Sequence, residues 1–139
     1  MTTSPPSPLD PVPSGALEQR GVDVIRGIAM DAPRAAHSGH PGAAMALAPL
    51  AHALFTRVLR HDPSDPGWPD RDRFVLSNGH ASILLYTMLH LTGYGLTLDD
   101  LRAFRSWGSA TPGHPERHHT AGVEAVSYTH LTLPTILRV

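Results

Sequence analysis

No cysteine and no lysine occur in these 139 residues. Without cysteine the chain can form no disulfide, no thiolate nucleophile and no thiolate metal site, which fits a reducing cytoplasm. All eleven basic residues are arginine, which excludes a lysine Schiff base and a P-loop lysine within this chain. No apolar run approaches the roughly 18 residues that span a membrane. The N-terminus lacks a charged-then-apolar signal, so secretion is not expected. A net charge of -1 offers neither a basic face for nucleic acid nor the acidic excess of a solvating tail. Asn78 is the only asparagine, no Gly-Asp-Gly occurs, and there are no internal repeats. The length suits one ordinary domain.

What is present is organised helically. Residues 1–13 carry five prolines and read as a disordered leader. From Ser14, a candidate N-cap, Leu17, Val24, Ile25 and Ile28 lie on one helical face, and Pro33 predicts an end near Asp31. A second helix is expected from about Ala43 to Leu59, with Leu47, Leu50, Leu54 and Val58 toward the core; Pro49 could instead mark its first turn. Residues 61–73, with three Pro and four Asp, read as an exposed loop. Phe74-Val75-Leu76 reads as a short strand running into a turn and then a helix, Ala81 to Leu91, apolar on nearly every side. Strand, turn and buried helix make half of a parallel βαβ unit. Gly93 and Gly95 close that helix. Thr97-Leu98-Asp99-Asp100 resembles a capping box and opens a further helix to about Trp107.

Three histidines each sit in a glycine-bearing turn: Ser38-Gly39-His40-Pro41-Gly42, Ser77-Asn78-Gly79-His80 and Thr111-Pro112-Gly113-His114-Pro115. Glycine lets backbone approach a ligand closely, and imidazole donates, accepts or exchanges protons near neutrality. Their recurrence predicts loops converging on a pocket for an anionic, oxygen-rich ligand. A phosphate is favoured at the turn before Ala81, where a helix starts beyond a strand end. Each histidine alone has a plainer reading, as a turn residue with a polar partner or a helix cap. His52 and His90 read as packing residues, His118-His119 as a polar loop pair, and Arg105 either as a solvated helix residue or as a contact to a phosphate or a neighbouring subunit. No spacing resembles a zinc site.

Six stretches, in order and at matching intervals, resemble the N-terminal part of a transketolase. They are Ala29-Met30-Asp31, Ser38 to Ala43, Asp72 to Ala81, Met88 to Tyr94, Thr111 to Glu116 and Gly122-Val123-Glu124. The resemblance covers Leu17 to Glu124. It implies an α/β fold: an incomplete N-terminal half of a thiamine-diphosphate-binding parallel-sheet domain, mostly helical here, occupying residues 14–124. It implies an enzyme that moves a two-carbon ketol unit from a ketose phosphate to an aldose phosphate. The cofactors implied are thiamine diphosphate and Mg²⁺ or Ca²⁺, and the assembly implied is a cytoplasmic homodimer of the pentose phosphate pathway. By the same resemblance His40 and His114 are catalytic and substrate-binding residues, and His80 binds the cofactor on its diphosphate side. No metal ligand is assigned within this chain, because the family's Gly-Asp-Gly motif is absent. The glutamate that activates the cofactor belongs to a later domain.

Two departures are local: Pro33 stands where the family continues its helix, and Ala110 where a basic residue is common. A larger one follows Glu124, where the family has Thr-Thr-Gly-Pro-Leu-Gly-Gln-Gly and this chain reads Val126-Ser127-Tyr128-Thr129-His130 onward. Residues 125–139 are therefore expected to be a non-native tail, resembling a translated sequencing adapter. The alternative is a terminal strand with Tyr128, His130 and Leu133 half-buried. The chain by itself is expected to be inactive, with Ile83, Leu84, Leu85 and Met88 lacking a covering layer. Alternatives for the parent are dihydroxyacetone synthase, deoxyxylulose-phosphate synthase, or a non-catalytic interaction module; the loop from Thr111 to Glu116 favours transketolase or dihydroxyacetone synthase over deoxyxylulose-phosphate synthase.

Overall fold

A computed structural model describes residues 14–124; the expectations for residues 1–13 and 125–139 lie outside the described residues. Four α-helices follow in order: α1 Ser14–Ala35, α2 Pro41–Ala53, α3 Ser82–Leu91 and α4 Leu98–Arg102. A π-helical turn, Leu54–Val58, prolongs α2, and a 3₁₀ turn, Gly79–Ala81, leads into α3. Helices α1, α2 and α3 pack on one another, and α4 packs on α1 and α3.

The first helix runs past the predicted stop. Pro33 lies inside α1, because removing one N–H forfeits a single bond of the ladder, and the Ala36 N–H to Ala32 carbonyl bond (3.0 Å) resumes the pattern beyond it. The helix ends instead at His37, which takes a left-handed φ of 48°. The Ser38 N–H then reaches the Pro33 carbonyl and the His37 N–H the Arg34 carbonyl, both at 3.1 Å. That is a Schellman closure made without glycine.

Small residues form the seam between helices. Ala29 and Ala32 of α1 and Ala44, Ala48 and Ala51 of α2 are buried, with Val22, Ile25 and Phe55. The expected core leucines are mostly elsewhere. Leu50 is 57% exposed, Val58 62% and Leu17 58%, and Val24 also faces outward; Leu47 and Leu54 are half-buried. Close approach of two helices selects alanine at the contact, so the larger side chains take the flank. There, Leu47, Leu50 and Leu54 line a groove with Phe74, Val75 and Leu76.

Helix α3 is the centre of the core. Every residue from Ser82 to Leu89 is buried, including Ile83, Leu84, Leu85 and Met88, which the surrounding helices cover, contrary to expectation. Its end agrees with the sequence: Gly93 and Gly95 have positive φ. Phe74-Val75-Leu76 forms no strand, and none forms elsewhere among the described residues. A strand needs a neighbour to take its backbone groups, and none of the described segments supplies one. Thr97 caps α4 as expected, its side chain accepting from the Asp100 N–H while Asp100 accepts from the Thr97 N–H. This helix stops at Arg102, short of Trp107: the Phe104 N–H turns back to the Leu101 carbonyl, and the Arg105 N–H leaves the ladder for the Thr111 carbonyl.

Candidate functional site

His40 is the residue before α2, with extended backbone (φ -128°, ψ 92°), and Pro41 follows as the first helical residue. Its side chain caps nothing and is exposed. His80 lies in the 3₁₀ turn that enters α3, half-buried. The two imidazoles meet edge to face, ring centroids 5.4 Å apart. Both stand at the start of a helix, where unpaired N–H groups carry partial positive charge.

His114 joins them from the third loop. Burial holds its pKa below the ordinary histidine value, and the charges of Arg105, His40 and His80 push it further in the same direction. The structure therefore brings all three glycine-turn histidines together. The loop is pinned at several points: the Ser82 hydroxyl donates to the Gly113 carbonyl (2.8 Å), the Thr111 hydroxyl to the Asp100 carbonyl (2.7 Å), and the Thr120 hydroxyl to the Ala110 carbonyl (2.6 Å). Ala110 thus contributes backbone here.

Arg105, left undecided by the sequence, fastens two of the loops to each other. Its Nη1 donates to Ser38 Oγ at 2.6 Å, and its N–H to the Thr111 carbonyl at 3.0 Å. A Cβ on Gly113 would fall 2.8 Å from Arg105 Nε, and one on Gly39 3.0 Å from Pro33 Cβ. Gly39, which also has a φ of 129°, is therefore required there, whereas a Cβ at Gly113 would displace the Arg105 side chain. Arg105 Nε is buried with no hydrogen-bond partner among the described residues. Three imidazoles, one guanidinium with an unused donor and two helix starts make a donor-rich rim. That chemistry fits a phosphorylated, hydroxyl-bearing cofactor or substrate. It does not fit a metal: among the described residues no three His, Asp or Glu side chains come together as ligands.

The remaining histidines do other work. His90 Nδ1 donates to the Leu96 carbonyl (2.7 Å), and His52 packs against Gly21. His119 Nε2 donates to the Ser109 carbonyl (3.0 Å), while His118 has a left-handed φ of 68°. Sequence reasoning missed one constellation altogether. Arg71, Arg73 and Arg117 surround Glu124. The signal available was weak, since only the fold brings residues 53 positions apart into contact.

Comparison with known proteins agrees with this geometry. Residues 17–129 match the family described as transketolase, thiamine diphosphate binding domain. The chain is 55% identical over 111 residues to the transketolase of Halalkalibacterium halodurans, covering 80% of this chain and 17% of that protein. It is 58% identical over 108 residues to that of Mycobacterium leprae, covering 78% and 16%. A crystal structure of Pichia stipitis transketolase in complex with sedoheptulose 7-phosphate superposes with a TM-score of 0.75 at 55% identity, over 77% of this chain and 16% of that one. Transketolase from Campylobacter jejuni gives 0.74 at 48% identity, over 77% and 17%. The chain thus spans about 17% of the length of the curated relatives it matches, and the mostly helical arrangement is part of their α/β domain. Among the described residues no helix is long and apolar enough to cross a membrane.

Proposed function

This chain belongs to the transketolase family, and from that premise we propose that it supplies one wall of a ketol-transfer site. In the protein of which it forms this part, a two-carbon unit passes from a ketose phosphate to an aldose phosphate. The observation that carries the reading is the meeting of His40 and His80 at 5.4 Å, with His114 and Arg105 in electrostatic reach. Sugar phosphates as substrates are supported by the Pichia stipitis complex with sedoheptulose 7-phosphate.

Thiamine diphosphate, when bound, supplies the electron sink for breaking a carbon–carbon bond beside a carbonyl. His80, at the helix entry, holds the diphosphate side with the nearby N–H groups. His40, exposed and uncapped, hydrogen-bonds substrate oxygens near the scissile bond and moves a proton there. Burial, and then the Arg105 guanidinium, push the His114 pKa down and favour its neutral form. A neutral imidazole offers one N–H and one acceptor nitrogen, which suits binding a ketose hydroxyl. Mg²⁺ or Ca²⁺ would take its ligands from outside this chain. The glutamate that activates the cofactor would come from a later domain of the partner subunit, and the working assembly is a homodimer in the cytoplasm.

A chimera tests the reading: residues 17–124 replace the matching segment of Bacillus subtilis transketolase, to which this chain is 54% identical. Ketol transfer is retained. His40→Ala then lowers kcat by about 10²-fold or more, in the range of general acid–base contributions, while His80→Ala chiefly weakens cofactor binding. A folded, dimeric chimera without activity would overturn the function. Equal effects of both substitutions on cofactor titration would overturn the division of roles.

A further inference from the structure

We propose that the arginine corner around Glu124, whose cleft none of His40, His80 and His114 lines, is a binding site for a small phosphate dianion. Arg71 is anchored on two sides, with Nε donating to the Pro66 carbonyl (2.7 Å) and Nη2 paired with Glu124. Its side chain is only 8% exposed, and Nη1 has no hydrogen-bond partner among the described residues. Arg73 Nη1 donates to both carboxylate oxygens of Glu124 at 3.3 Å, and Arg117 Nε stands 3.8 Å from Oε2. Three guanidiniums thus share one carboxylate, so an excess of donors over acceptors converges on this corner.

That excess lines a cleft of about 450 Å³, bounded also by Gly67 and His118. Arg73 and Arg117 are about half exposed, so their unused donors remain reachable, whereas Glu124 is 11% exposed and saturated. A buried ion pair holding an unmatched donor carries a desolvation penalty, and an incoming oxyanion would offset it. Guanidinium forks bind phosphate oxygens in pairs, and a phosphate offers the unused donors more acceptor oxygens than a carboxylate does. Backbone geometry fixes the corner: the Arg71 N–H donates to the Trp68 carbonyl, and Gly122 at φ 81° admits no Cβ beside Tyr94 and Leu89. The shared chemistry is a phosphate group, free or esterified to a small metabolite.

Trp68 reports on this corner, and Trp107→Phe removes the other tryptophan. The 139-residue chain carrying that change is titrated with inorganic phosphate, at about pH 8 so that histidine is neutral, with potassium chloride holding ionic strength constant. A saturable fluorescence change and a matching rise in Tm are expected. Arg73→Gln with Arg117→Gln weakens binding by about tenfold or more, as loss of two charge-assisted donors implies, with unchanged far-ultraviolet circular dichroism. Arg117→Gln alone gives a smaller weakening and serves if the double variant unfolds. A parallel titration with glycerol 1-phosphate separates the sources: tighter binding than inorganic phosphate assigns the site to a phosphomonoester, weaker binding to the free anion. Neither a fluorescence nor a Tm response in the tens of millimolar, or an identical response in the variants, overturns the proposal.

Discussion

The helical core and the histidine rim solve opposite problems with neighbouring residues. In the core, α3 lies inside a seam of alanines, and its hydroxyls are satisfied locally, Thr87 donating to the Ile83 carbonyl at 2.7 Å. Tyr86 is the exception, a buried phenol without a partner among the described residues, its pKa raised by burial and by Glu116. On the rim and the loops beside it, the backbone is strained instead. The three non-glycine residues with positive φ among those described, His37, Arg105 and His118, all lie there. So does the orphaned Nε of Arg105. Strain and unmatched polar atoms persist only where surrounding structure over-determines them, and here the core does so. The lesson is a division of labour: close packing holds fixed the loops whose own conformations are unfavourable.

Phe104 joins the two regions, so its loss should have the largest effect. It is 2% exposed, meets the Tyr86 ring edge-on at 6.4 Å, has the Arg105 guanidinium over its ring, and would be 3.2 Å from a Cβ on Gly39. Phe104→Ala should destabilise the chain by about 3–5 kcal/mol, as large aromatic truncations do, measured by urea denaturation. In the chimera, it should also impair ketol transfer beyond what partial unfolding explains. A loss under about 1 kcal/mol, the usual surface range, would mean that core and rim are independent.

Sequence reasoning was accurate where signals are local. The boundaries of α3, the glycines that end it and the capping box at Thr97 are encoded within a few residues. The convergence of His40, His80 and His114 was legible because glycine turns mark all three. It was least accurate about which apolar residues lie inside. Helical periodicity finds an apolar stripe, but Leu50 and Val58 share their helix with Ala44, Ala48 and Ala51, and only the neighbouring helix decides which face it meets. The run past Pro33 failed to register for a related reason. One missing bond is outweighed when Ala29, Ala32 and Pro33 are all buried. Phe74 to Leu76 has strand composition without a strand partner. The Arg71–Glu124 corner needed the tertiary fold.

A smaller effect on the same comparison is pH-dependent. The folded state holds the His114 pKa below 6.5, first by burial and then by Arg105, His40 and His80. Well above 6.5 the imidazole is neutral in both states and contributes no pH dependence. As pH falls below 6.5 the unfolded chain takes up a proton that the folded chain resists. Stability is therefore lost through that window, down to the depressed folded value. His114→Gln should flatten this part of the Tm-against-pH curve while leaving the neutral-pH Tm nearly unchanged. An unaltered acid limb would place the rim's sensitivity on another group.

The smallest effect concerns His37, where strain can be relieved without touching the core. A left-handed φ of 48° costs an L-residue roughly 1–2 kcal/mol. Glycine avoids that, but loses roughly 0.5–1 kcal/mol more chain entropy on folding. His37→Gly should therefore stabilise the chain by about 0.5 kcal/mol, the difference of those terms, with the Schellman bonds from Ser38 and His37 retained. Paired Tm measurements of both chains resolve it. Ser38 also receives Arg105 Nη1 at 2.6 Å, so a freer residue 37 loosens the link between the first and third loops. The informative result is in the chimera, where His37→Gly should raise Tm and yet lower kcat slightly. A variant both more stable and fully active would show that the strain at His37 is incidental to the site. A variant less stable than the parent would show that the imidazole itself holds the helix end.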